Sequence, residues 1–96
     1  MVGKTGDMRV QLAPELVKKL KKTNVIVRKN FKQRLEIFGV DPNNLELNNH
    51  GLRGKWAGFR SIDVTGDWRA IFCESEEEGG MVAYFVAIGI HAQLYK

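Results

Sequence analysis

The sequence predicts an α+β domain: a short N-terminal strand, two helices, and then a mainly antiparallel three-strand meander with both helices on one face of the sheet. Three observations lead to it. Apolar residues recur at helical spacing between Leu16 and Phe38. The β-branched and aromatic runs 59–64 and 68–72 flank a turn of Thr65, Gly66 and Asp67, the pattern of a hairpin. The run 81–88 is almost continuously apolar, as in a strand covered on both faces or central in a sheet.

In chain order, residues 1–7 read as a loose start. Gly3-Lys4-Thr5 ends like a phosphate-binding loop but lacks the earlier glycine and the preceding strand. Residues 8–12 alternate as a first strand, and Pro14 suits the first turn of a helix. Leu16, Val17 and Leu20 form an apolar stripe over 15–22, with Lys18, Lys19, Lys21 and Lys22 pointing away. Thr23 or Asn24 caps a second helix, in which Val27, Phe31, Leu35 and Phe38 share one face. Gly39 is expected to end it in a left-handed conformation, with Pro42 preventing its resumption. Residues 43–49 are a connection with room for one turn, and His50 falls in a loop with the spaced glycines Gly51, Gly54 and Gly58. After the hairpin, 74–80 reads as an acidic link, Gly89 interrupts the last strand, and the tail from His91 forms a turn of helix.

The 96 residues fit one domain spanning 1–96, and a chain 44% hydrophobic and 27% charged belongs to neither the disordered nor the fibrous class. No apolar run is long enough to span a bilayer and the N-terminus lacks a signal-peptide core, so a cytoplasmic protein is expected. Cys73 is the single cysteine, which excludes an internal disulfide and a cysteine-based metal site. Charge is uneven. Residues 1–40 hold ten Lys or Arg against three Asp or Glu, a net of +7, while residues 41–96 hold five against eight, a net of −3. A basic half of this kind gains affinity for a polyanion through counterion release, and two solvated helical faces are the alternative.

The residues able to do chemistry lie mostly between His50 and Phe72. His50 and His91 are the only histidines, and two imidazoles brought together by the fold could act as base and acid. Arg60 offers a planar fork of donors to a phosphate. Asp67 can accept a proton or orient a histidine, although aspartate at a hairpin turn also serves the turn. Tyr95 can stack on a base. Trp68 reads as core, whereas Trp56, in the glycine-rich loop, is the better stacking surface for RNA. Neither a metal nor another cofactor is expected, because two histidines and one cysteine make a poor zinc set.

The run His50-x-Leu52-x-Gly54-x-Trp56-x-Gly58-Phe59-Arg60, then Asp67-Trp68, then Ile88-Gly89-Ile90-His91-Ala92-x-Leu94-Tyr95 resembles the RelE/ParE superfamily of bacterial toxins, nearest to its YafQ-like mRNA interferases. The resemblance implies a toxin of a type II toxin–antitoxin pair, neutralised by an antitoxin that wraps it. It further implies ribosome-dependent, metal-independent cleavage of mRNA, with the ribose 2′-hydroxyl as nucleophile. Carried over by position, His50, Asp67 and His91 share the proton transfers, Arg60 stabilises phosphate, and Tyr95 stands at the family's terminal aromatic. Which group is the acid and which the base stays open. Lys18, Lys19, Lys22, Arg28, Lys29, Lys32, Lys55 and Trp56 are the expected RNA contacts. The chain departs from the pattern at two positions: Asp63 stands where relatives commonly carry a histidine, and Ala87 where they carry an arginine. Both departures imply a weaker cation field around phosphate, so a ParE-like gyrase inhibitor or a non-catalytic antitoxin-binding homologue is the alternative reading.

Overall fold

The computed structural model describes residues 8–95; the loose start and Gly3-Lys4-Thr5 lie outside the described residues. Their core is a five-stranded sheet with strand order β1-β5-β4-β3-β2, in which β1 (Arg9–Leu12), β2 (His50–Gly51), β3 (Arg60–Asp63), β4 (Trp68–Glu77) and β5 (Gly80–Ile90) follow the chain. The meander β3-β4-β5 is antiparallel as the sequence predicts. β1 adds to β5 in parallel, which requires the chain to cross over the sheet. That crossover consists of α1 (Pro14–Lys21) and α2 (Val25–Val40). A third helix, α3 (His91–Leu94), follows β5 directly.

Each helix buries the stripe its spacing announces. Leu16 is buried on α1, and Val27, Phe31 and Phe38 on α2. Phe38 packs edge-on against Phe72 of β4 and Phe85 of β5, with ring centroids 5.1 and 5.4 Å away, and Phe31 meets Phe85 at 5.9 Å. Edge-to-face rings at these spacings add to the energy of burial itself. Asn24 is the cap of α2, its side-chain oxygen accepting a hydrogen bond from the Val27 amide at 3.0 Å. Replacing it with alanine leaves that amide without its partner. We expect Asn24→Ala to lower the unfolding free energy by about 1 kcal/mol, read from the urea midpoint at constant m-value.

Four expectations need correction. Gly39 does not end α2, which runs through Val40; Asp41 leaves the helix at φ −149°, as the residue before Pro42 must when the ring disfavours its helical conformation. The acidic stretch is not a link, because β4 extends to Glu77 and pairs with β5 down to Gly80. Every β4 residue of this ribbon from Glu74 to Glu77 is exposed, so the apolar alternation that marks a strand is absent there. Gly79 and Gly80, at φ 91° and 132°, make its turn. Nor does Gly89 interrupt β5, which continues to Ile90. Finally, His50 is not in a loop: it pairs with Ser61 and turns the glycine-rich segment back along the sheet edge. The connection before it does contain one turn, a 3-10 segment at Leu45–Leu47. None of the described helices is long and apolar enough to cross a membrane.

Candidate active site

Register places the chemistry. Trp68 pairs with Ile90 across β4 and β5, so Asp67, just before Trp68, and His91, just after Ile90, emerge side by side at one end of the sheet. Between them is an open cleft of about 350 Å³ lined by Gly66, Asp67, Arg69, Ile90, His91 and Ala92. The hairpin turn fixes the Asp67 side. Thr65 Oγ1 accepts hydrogen bonds from the amides of Asp67 and Trp68 at 3.2 and 3.1 Å, a hydroxyl-braced turn that leaves the Asp67 carboxylate exposed.

Arg69 forms the floor. Its Nε meets Asp63 Oδ1 at 3.1 Å, and its Nη1 donates to the carbonyls of Thr65, Gly66 and Trp68, each at 3.1 Å. A guanidinium held at this many points keeps one orientation, and it lines the cleft. The reading from sequence missed this residue. The signal was present: Asp63 and Arg69 carry opposite charges three positions either side of Gly66, so a hairpin centred there pairs them. Asp63 is therefore ion-paired with its neighbour across the hairpin.

His91 opens α3, and its ring lies 4.5 Å from that of Tyr95, one helical turn later. The turn is anchored by buried Leu94, whose carbonyl accepts the Trp56 indole N–H at 2.8 Å. Trp56 is thus half-buried, packed edge-on against Phe59 with centroids 5.3 Å apart, and its indole N–H is turned inward.

The other residues singled out in the sequence lie apart. His50 is separated from β4 by one strand, roughly 10 Å away, and it does not line the cleft. Its Nδ1 lies 2.8 Å from the Asn48 carbonyl, which can only accept; Nδ1 therefore carries the proton, and in the neutral ring Nε2 is left as an acceptor. Arg60 pairs with Phe72, four residues and about 13 Å along β4 from Trp68. It borders a second crevice with Gly51, Leu52, Gly58, Phe59 and Glu74, and its Nε donates to Asn49 Oδ1 at 2.8 Å. The fold brings Asp67 and His91 together, adds Tyr95 and Arg69, and separates Arg60 from them.

On the helices, Lys18, Lys22, Lys29 and Lys32 are exposed. With Glu15, Lys19 and Lys21, the first two line a shallow basin of about 550 Å³. Arg28 instead donates to the carbonyls of Thr23 and Lys21 at 2.6 and 3.3 Å, a cation closing the C-terminal end of α1. Lys55 is exposed in the 3-10 turn Gly54–Trp56.

No protein-family model and no curated protein sequence matches the chain. Solved structures do. A YoeB/ParE toxin from Agrobacterium tumefaciens superposes with a TM-score of 0.71 at 14% identity, over 88% of this chain and 99% of that one. An archaeal RelE, from a RelE–RelB complex of Pyrococcus horikoshii, gives 0.68 at 19% identity over 91% and 98%. YafQ from E. coli gives 0.66 at 22% identity over 93% and 99%. The chain has the RelE/ParE toxin fold. YafQ also occurs in a DinJ–YafQ toxin–antitoxin complex. The cleft lies where the β3–β4 turn meets the C-terminal turn.

Proposed function

We propose that this protein is the toxin of a toxin–antitoxin pair and cleaves mRNA on the ribosome. The observation that carries this reading is the convergence of Asp67, Arg69 and His91 in one open cleft, in a chain with the RelE/ParE fold. The Asp67 carboxylate takes the proton of the ribose 2′-hydroxyl as its oxygen attacks the adjacent phosphorus. Arg69 stabilises the charge that accumulates on the phosphorane-like transition state. His91, as imidazolium, gives a proton to the departing 5′-oxygen. A P–O2′ bond forms and the P–O5′ bond breaks, leaving a 2′,3′-cyclic phosphate and a 5′-hydroxyl. Tyr95, whose ring lies beside that of His91, packs against a base or ribose of the substrate. His50 and Arg60, more than a nucleotide step away, contact flanking nucleotides, and Lys18, Lys22, Lys29 and Lys32 dock on ribosomal RNA. The antitoxin is the second partner, as DinJ is of YafQ.

Induced expression in a bacterial host, with mapping of mRNA 5′ ends beside an Asp67→Asn control, tests the reading. Cuts at regular in-frame codon positions that disappear in the control are expected. Growth arrest without cuts would move the target to gyrase or another protein, and neither arrest nor cuts would leave an antitoxin-binding homologue.

A further inference from the structure

α3 has four residues, too few to hold a helical geometry unaided, yet it carries His91. Its geometry is fixed from outside: buried Leu94 and the Trp56 bond to the Leu94 carbonyl hold its end, and Gln93 holds its start, where His91 lies. Gln93 Oε1 accepts from the Ile90 amide at 3.2 Å, closing the first turn, and the same oxygen accepts from Lys19 Nζ, also at 3.2 Å. The Lys19 ammonium is at the same time 5.8 Å from the ring centroid of Trp68, the residue after Asp67. That is within the range of a cation–π contact. One side chain from α1 therefore bridges the residue that follows Asp67 and the helical turn that carries His91. The meeting point is built for it. A Cβ on buried Gly89 would fall 2.8 Å from Gln93 Oε1, 2.9 Å from Lys19 Nζ and 3.3 Å from Leu94 Cδ2, so the absence of a side chain there admits the pair.

We propose that Lys19 is a positioning residue that clamps α3, and with it His91, against the Asp67 hairpin, and is not one of the docking cations of α1. The catalytic half of the test rests on the proposed ribonuclease activity; the spectroscopic half does not. Lys19→Met and Gly89→Ala remove the clamp by independent routes, one by deleting the ammonium and the other by occupying its place while keeping the charge. Both are expected to lower kcat about ten- to a hundredfold in ribosome-dependent cleavage, as a small misplacement of an acid does, with KM unchanged. Lys18→Met, which removes a docking charge, raises KM instead. In the free protein, both clamp variants shift the ring resonances of His91 and Tyr95 toward their random-coil positions. Gln93→Glu, which keeps the shared acceptor, retains the wild-type shifts.

A Lys19→Met variant with a raised KM and unmoved His91 and Tyr95 resonances would overturn the proposal and make Lys19 a docking cation. So would a Gly89→Ala variant with wild-type ring shifts. If the wild-type protein cleaves nothing while the resonances move in both variants, the clamp stands and the proposed reaction fails.

Discussion

His91→Ala is expected to reduce ribosome-dependent cleavage by about 10²- to 10⁴-fold, the range for removing a general acid. The side chain is exposed at the start of α3, so its loss does not open the core, and the far-UV spectrum and unfolding midpoint should match the wild type. Buried Leu94 and the Trp56–Leu94 hydrogen bond still hold the turn in the variant. His91→Gln keeps a polar side chain of similar reach but cannot deliver a proton as imidazolium does, and should be nearly as slow. A His91→Ala protein that cleaves at the wild-type rate would remove this residue from the chemistry and leave the cleft without its acid.

Arg69→Gln is the second large effect, a loss of about 10²- to 10³-fold, by analogy with deleting one donor to a developing oxyanion. The Asp63–Arg69 ion pair adds a second effect, since the single variant also leaves Asp63 without its counter-charge beside an anionic substrate. Asp63→Asn combined with Arg69→Gln separates the two. Recovery of most of the rate in the double variant would mean that Arg69 acts only by neutralising Asp63. A double variant as slow as the single one is the expected result, because the transition-state charge then still lacks its cation. Arg69→Lys should restore little, as an ammonium cannot reach Asp63 and three turn carbonyls while also facing the substrate.

The helices and the meander were legible because their apolar spacings are strong and local: Val27, Phe31 and Phe38 repeat with the helix, and the 68–72 run sits beside an unmistakable turn. Nonlocal pairings were not. Nothing in Arg9–Leu12 specifies that it adds in parallel to β5, and nothing in two residues at His50 announces a strand. The acidic ribbon was misread because Glu74 to Glu77 are all exposed, so the strand loses its apolar alternation there. Gly39 and Gly89 were read as breaks, although one sits within a helix and the other serves close approach between Gln93 and Lys19.

The site was legible to a similar degree. Asp67, His91 and Tyr95 were singled out by residue type and given roles by resemblance, but the meeting of Asp67 and His91 depends on the Trp68–Ile90 register, which spacing alone does not fix. Arg60 was favoured as the phosphate cation because it is the arginine of the quoted motif. Its position four pairs along β4 and its bond to Asn49 set it in a different crevice, and Arg69, unremarked in the sequence, takes the place beside Asp67. Trp56 and Lys19 were assigned to RNA from residue type; spacing did not announce that their polar ends bond to α3. The departure at Asp63 gains a meaning it lacked in the sequence, since the carboxylate is one of the groups that orient Arg69.

The most direct measurement is the chemistry of the cut ends, made with purified protein, programmed ribosomes and a defined mRNA. Attack by the 2′-hydroxyl predicts an upstream fragment ending in a 2′,3′-cyclic phosphate and a downstream fragment with a 5′-hydroxyl, both absent with His91→Ala. Fragments bearing a 5′-phosphate and a 3′-hydroxyl, or mRNA left intact by the wild-type protein, would contradict the roles given to Asp67, Arg69 and His91.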